Sequence, residues 1–244
     1  MSREGKCFSH KGNPFPLFCH VKGLCFAFHS RPVKKLSTDM SREVVVLVHG
    51  FLRKAWDMGY LRRFFLAHGF QVLAPDLPVT TGGIHSCTER LAALLKEQTG
   101  EKIHFVGHST GGRIVLDLLF RYPLPNLGHV VLIATPVGGS WCARKVASFP
   151  LLPCLFHTLE DLKDQAAIPS DVKMGVITGG RGKTTGYNPL IPGDNDDLVA
   201  VDETRFEGMH DFLLVHHIHQ RIHKDAEVAL HILNFLIHAR FASS

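Results

Sequence analysis

Residues 103–112 read I-H-F-V-G-H-S-T-G-G. A short apolar run ends at Gly107, Ser109 follows, and Gly111 and Gly112 open "TGGRIVLDLLFRY" (110–122), which carries a helical pattern and stops before Pro123. The stretch therefore predicts strand, sharp turn, helix, with G-x-S-x-G at the turn. That context is the one in which such a serine projects clear of a sheet as a nucleophile, the glycines making room where strand and helix pass closely. The bland alternative is a hydroxyl in an ordinary glycine-rich turn. The rest of the chain must decide.

Outward from the turn, strand and helix signals alternate. "VVVLVHG" (44–50) is a continuous apolar run, the mark of a strand buried on both faces. A helix fits 55–68, with Met58, Leu61 and Phe65 on one side and Gly69 as its stop. "QVLAPD" (71–76) is the next strand. Ser86 with Glu89 predicts a capping box for a helix bearing Leu91, Leu94 and Leu95 and ending at Gly100. Downstream, "HVVLIATP" (129–136), "VKMGVITGG" (172–180) and "FLLV" (212–215) are strands, and 225–238 is a closing amphipathic helix. Such alternation predicts an α/β fold, a mostly parallel sheet of about six strands with helices on both faces. Ligands of these sheets sit at the carboxyl ends of the strands.

Composition narrows the function classes. The 244 residues are 45% hydrophobic and 20% charged, with a formal charge of +5. This suits one globular domain. The basic residues are scattered and not interleaved with aromatics, so no nucleic-acid partner is expected. No apolar stretch reaches the ~18–20 residues of a membrane span, so no stable insertion is expected. The six cysteines form no CxxC pair and suggest free thiols in a reducing compartment, hence a cytoplasmic location. Oligomeric state is not readable. Residues 1–39 lack a clear period, and "MSRE" occurs at residue 1 and again at Met40. Two readings stand for them: an irregular extension upstream of a start at Met40, or an N-terminal hairpin. The catalytic domain is expected over 40–244.

A serine hydroxyl needs a base, and the base an orienting acid. On this fold both should follow the serine at the ends of later strands, in the order Ser, Asp, His. "PGDNDDLVAV" (192–201) follows the strand at 172–178, and "HHIHQRIH" (216–223) follows the last strand. Asp194, Asp196 and Asp197 are candidates for the acid, and His216, His217, His219 and His223 for the base.

"VVLVHGF" (45–51), "HFVGHSTGG" (104–112), "LIATPVGGS" (132–140), "GVITGG" (175–180), "PGDNDDLVAVDET" (192–204) and "EGMHDFLLVHHIH" (207–219) together resemble the α/β-hydrolase superfamily, in particular small lipase-like bacterial members with almost no lid. The resemblance runs from about Val44 to Phe241. It implies Ser109 as nucleophile, Asp196 as acid and His219 as base. Relatives commonly have Asn-Asp-Gly at the acid, so Asp197 stands where glycine is usual and puts a second carboxylate beside the acid. Ile218 sits where serine is common and His216 where proline is common. The oxyanion donors implied are the backbone N–H groups of Phe51 and Thr110, with Gly50 letting the chain approach the substrate and His49 supporting that loop. His49, Gly50, His108 and Trp141 are the remaining candidate substrate-side residues.

Between the strands at 129–136 and 172–180 lies a short lid, about 137–171, with room for two short helices. Trp141, Phe149, Leu151, Leu152, Leu155 and Phe156 would form an apolar rim suited to an aliphatic acyl chain. Together these residues imply a serine hydrolase of carboxylic esters, acting on a small-molecule or lipid ester through an acyl-enzyme. An acyltransferase or thioesterase on the same groups is the nearest alternative, and a non-catalytic binding protein the third. There is no HExxH, Walker loop or G-x-G-x-x-G, so neither a metal nor a nucleotide cofactor is expected.

Overall fold

The computed structural model describes residues 40–148 and 157–242. The extension before Met40 and the lid residues Phe149, Leu151, Leu152, Leu155 and Phe156 lie outside the described residues. Six strands build the sheet: β1 (Glu43–Val48), β2 (Gln71–Leu73), β3 (Lys102–His108), β4 (Leu127–Ile133), β5 (Met174–Gly179) and β6 (Asp211–Val215). Their order is β2-β1-β3-β4-β5-β6, and every pair is parallel. Among the described residues, seven α-helices connect or flank them: α1 (Gly59–Ala67), α2 (Gly83–Leu95), α3 (Thr110–Arg121), α4 (Trp141–Ala147), α5 (His157–Asp161), α6 (Val201–Thr204) and α7 (Ala226–His238).

The apolar run of β1 is explained by two buried layers. Val44, Val46 and Val48 join Phe105, Val130 and Leu132 in one cluster, packed under Leu91 of α2 and Ile114 and Leu118 of α3. Val45 and Leu47 join Val106, Val131 and Ile133 in the other, under Leu61 and Phe65 of α1 and Ile232 and Phe235 of α7. Alternate side chains point to opposite faces, so both parities must be apolar when helices cover both. Each such side chain contributes roughly 1.5–3 kcal/mol on burial.

The segment predicted as one helix over 55–68 is a 3₁₀ turn, Ala55–Met58, followed by α1. The extended run predicted at 71–76 shrinks to the three residues of edge strand β2. The capping box at Ser86 is not formed. Helix α2 begins at Gly83, three residues earlier, which puts Ser86 inside it. Its first turn is served from across the molecule, because Asp161 of α5 accepts from Ile84 N at 2.7 Å. A carboxylate at a helix N-terminus performs the task a local cap would. Closing helix α7 is capped locally, the Asp225 carboxylate accepting from Glu227 N and Val228 N.

Among the described residues of the segment expected to be the lid, two short helices, α4 and α5, are present, and Val146, Leu159 and Leu162 from this segment line the same cavity as Ser109. Arg113, buried in the first turn of α3, ties the segment down by donating to the carbonyls of Pro136, Asp161 and Asp164 at 2.8–3.0 Å.

Candidate functional site

Ser109 stands between β3 and α3 with φ 55° and ψ −125°. This backbone conformation costs a non-glycine residue on the order of 1–3 kcal/mol and persists only where its surroundings over-determine it. They do so here. Ser109 N donates to Ile133 O at 2.8 Å, fixing the turn to β4. A side chain at Gly111 would put Cβ 2.2 Å from Val48 O, so the helix can start against β1 only if that residue is glycine.

The loop after β1 lies beside the serine. A Cβ on Gly50 would sit 3.0 Å from Ser109 Cβ and 3.2 Å from His108 O, so the loop backbone at Gly50 lies against Ser109. Thr110 is the first residue of α3, so its N–H is among those an α-helix leaves without an intrahelical acceptor. His49 is buried and turned away from this surface: its Nε2 accepts from Leu77 N at 3.2 Å, and its Nδ1 lies 3.1 Å from Gly50 O.

Asp196 and His219 meet although 23 residues separate them: Asp196 Oδ2 is 2.7 Å from His219 Nδ1. The Asp196 side chain is fully buried, and its other oxygen accepts from Leu198 N and Val199 N at 3.1 and 2.7 Å. His219 N donates to Asp196 O at 2.7 Å, so the two loops are pinned by backbone as well. The rival carboxylates have other work. Asp194 accepts from Arg181 N and Gly182 N, each at 2.8 Å, and shapes the turn after β5. Asp197 takes φ 90°, and burial followed by the Asp196 charge pushes its carboxyl above the usual range. The rival histidines are likewise engaged. His216 Nδ1 lies 3.3 Å from Gly180 O, His217 Nε2 3.4 Å from Asp225, and His223 Nε2 3.1 Å from Asp57.

Ser109, His219, Gly50, Phe51 and Thr110 all line one cavity of about 470 Å³. Its opposite wall is apolar, with Val146, Leu159 and Leu162 from the lid and Leu198 and Val199 from the acid loop. His108 also lines it, with Nε2 donating to His219 O at 3.1 Å. Trp141, grouped by sequence with the substrate residues, does not line this cavity. Its neighbours Cys142 and Ala143 do, while Trp141 N donates to Glu203 and Lys145 lies over its ring. A larger cleft, about 670 Å³, opens around Lys102, His129 and Lys173, beside the opposite ends of the strands. It contains neither the serine nor the Asp196–His219 pair.

Three residues of structural weight have no role that the sequence alone discloses. Arg113 anchors the lid. Asn195 is fully buried and organises the acid loop, its Oδ1 accepting from Asn188 N and Asp197 N while its Nδ2 donates to the carbonyls of Asn188, Ile191 and Gly193. Glu203, whose carboxyl burial raises, bridges Trp141 N and Ala200 N. Among the described residues, Asp57, His108 and His223 form the one group whose donor atoms close to within 4.8 Å, and all three are buried.

A parallel sheet with a strained serine after its third strand and a carboxylate–imidazole pair after its fifth and sixth defines a class. The chain belongs to the alpha/beta hydrolase family, whose model matches residues 45–216. Among solved structures it is similar to the mature form of the Bacillus licheniformis lipase BlEst2, at 19% identity and a TM-score of 0.62, covering 83% of this chain and 94% of that one. It is also similar to a lipase-esterase related protein from Clostridium acetobutylicum, at 18% identity and a TM-score of 0.58, covering 81% and 96%. A metagenomic carboxyl esterase, MGS0156, aligns at 20% identity and a TM-score of 0.59, covering 78% and 68%. No curated protein matches the chain. Among the described residues no helix is long and apolar enough to cross a membrane.

Proposed function

We propose that this protein is a serine hydrolase of carboxylic esters. One observation carries the reading: Asp196 Oδ2 lies 2.7 Å from His219 Nδ1, and that imidazole shares a cavity with a serine held at φ 55°. Ser109 Oγ attacks the ester carbonyl carbon, and its proton passes to His219 Nε2. The oxyanion formed is met by the Phe51 and Thr110 amides, each such donor being worth roughly 3–4 kcal/mol. Collapse breaks the bond to the alcohol oxygen, which takes the proton from His219. Water then attacks the acyl-enzyme, giving a proton to His219. The carboxylic acid leaves, and Ser109 recovers its proton. Asp196 keeps the imidazole in the tautomer with Nδ1–H and stabilises the imidazolium. The apolar wall of Val146, Leu159, Leu162 and Leu198 supports an aliphatic acyl group as the bound part of the substrate.

The test is turnover of short- and long-chain p-nitrophenyl esters by the purified protein and by Ser109→Ala. We expect measurable hydrolysis in the native chain and a loss of at least about a thousandfold in the variant. Equal rates in the two would overturn the proposal. Release of acyl-alcohol product in preference to acid, when an alcohol is supplied, would reassign the same groups to acyl transfer.

A further inference from the structure

Behind His219 the site carries a second carboxylate–imidazole pair that the ester chemistry does not use. The rings of His219 and His108 are 4.8 Å apart between centroids, and those of His108 and His223 are 4.1 Å apart. Beyond them, His223 Nε2 lies 3.1 Å from Asp57 Oδ2. The row therefore reads Asp196, His219, His108, His223, Asp57, a stack of imidazoles with a carboxylate at each end. Asp57 sits in the 3₁₀ turn before α1 and its side chain is fully buried. It is neutralised by Lys224 Nζ at 2.6 Å, with Arg53 Nε at 3.9 Å.

A divalent cation is a poor guest for Asp57, His108 and His223, close as their donors are. The only carboxylate of the group is already paired with Lys224, so a dication would leave a net positive charge in a buried place. His108 Nε2 faces a carbonyl, His219 O, and carries the proton there, which leaves Nδ1 as the acceptor of the ring. That bond is what links the second pair to the first. It holds the peptide of the residue whose ring moves the proton.

We propose that Asp57 and His223, acting through His108, are positioning residues for His219. The proposal rests on the reading of His219 as general base. The Nε2–H of His108 fixes the His219 peptide, the His223 ring packs on His108, and Asp57 orients His223. When His219 takes the serine proton, its neighbours in the stack must stay uncharged. Burial, aided by the charges of His223 and His219, holds His108 well below the ordinary histidine range. Burial holds His223 low as well, against the pull of Asp57.

The charges facing the stack are Asp196 and Asp197 at the His219 end, Asp57, Lys224 and Arg53 at the other, and His49 beside Asp57. Asp57 pairs with Lys224 at 2.6 Å and faces Arg53 at 3.9 Å, so removing Asp57 makes the net charge beside the stack one unit more positive and removing Lys224 makes it one unit more negative. Asp57→Asn therefore disfavours imidazolium at His219 and moves the acid limb of the activity profile to lower pH. Lys224→Met favours it and moves that limb to higher pH. A merely structural role lowers the rate in both variants without opposite displacements.

The experiment is the rate of Ser109 labelling by a fluorophosphonate probe across about pH 5 to 9. It compares the full chain with Asp57→Asn, Lys224→Met and His108→Gln. The expected result is limbs displaced in opposite directions by about half a pH unit, with His108→Gln about tenfold slower throughout at an unchanged melting temperature. Lys224 is 40% exposed, so its variant decides the matter should Asp57→Asn fail to fold. A Lys224→Met limb that stays in place or moves to lower pH overturns the proposal. So does a stoichiometric metal, found by elemental analysis of the native protein and lost in His223→Gln. No labelling of native Ser109 at any pH removes the hydrolase reading itself, an outcome distinct from unmoved limbs on a protein that labels.

Discussion

Asp197 shows how one residue can be strained right beside the Asp196–His219 pair. Its φ of 90° lies in the left-handed region, where a side chain costs roughly 1–2 kcal/mol and glycine nothing comparable. Its carboxyl is held above the usual range by burial and by the Asp196 charge beside it. Asp197→Gly should therefore stabilise the chain by about 1 kcal/mol, since relief of strain outweighs the added freedom of the unfolded glycine. Denaturant unfolding of the variant at neutral pH checks this, and a lower midpoint would contradict it. The choice among the three aspartates was open in the sequence for a related reason. Asp194, Asp196 and Asp197 share composition and neighbourhood, and only the turn organised by Asn195 decides which carboxylate points at His219.

At the scale of elements, the lid is held less by its own sequence than by what reaches it from the sheet. Arg113 of α3 donates to two carbonyls of that segment, Asp161 and Asp164, and to that of Pro136 just before it, and Asp161 of α5 in turn caps α2. Arg113→Met should cost about 3 kcal/mol, because it leaves buried carbonyls without donors. Thermal unfolding measures the cost, and a change below about 0.5 kcal/mol would show that water replaces the guanidinium. Binding should suffer too, since Leu159 and Leu162 of the cavity wall hang on the same segment. The strands and long helices were legible because periodicity is local. The start of α2 was not, because Ser86 and Glu89 satisfy the local rule while a carboxylate 77 residues away from Ile84 satisfies the helix end first.

Across the whole molecule, histidine burial makes stability depend on acid. His49, His104, His108, His129 and His223 are all held below their ordinary range, with burial the largest cause in each. In the unfolded chain these groups take up protons as pH falls through about 6.5, whereas in the folded chain they do so only at lower pH. The unfolded state thus binds more protons, and stability falls with acidification. The slope is at most about 1.4 kcal/mol per pH unit for a fully buried histidine, and less for half-buried His129. Burial raises the Asp57 carboxyl, but His223 and Lys224 more than offset this and hold it below the usual range. Its contribution, present above the unfolded value of about 3.9, is lost only at still lower pH. Melting temperature should decline steadily from about pH 7.5 to 5.5. A flat or rising curve would mean that these side chains are reached by water.

The amino-acid sequence by itself determined the parallel α/β layering and the strand–serine–helix turn. Both follow from contacts between residues near in the chain: apolar periodicity, and glycines where backbones cross. It also placed a serine, an acidic cluster and a histidine cluster in the order the fold requires. What only the tertiary structure decided is which members of those clusters meet, that Trp141 stands outside the cavity while Cys142 lines it, and that Asp57, from the turn before α1, and His223, from the turn before α7, come to lie beside His108. Those outcomes depend on where loops land after the sheet is assembled. A distance of 2.7 Å between residues 23 apart is fixed by two strands, a buried asparagine and a backbone bond, none of which leaves a periodic mark in the sequence.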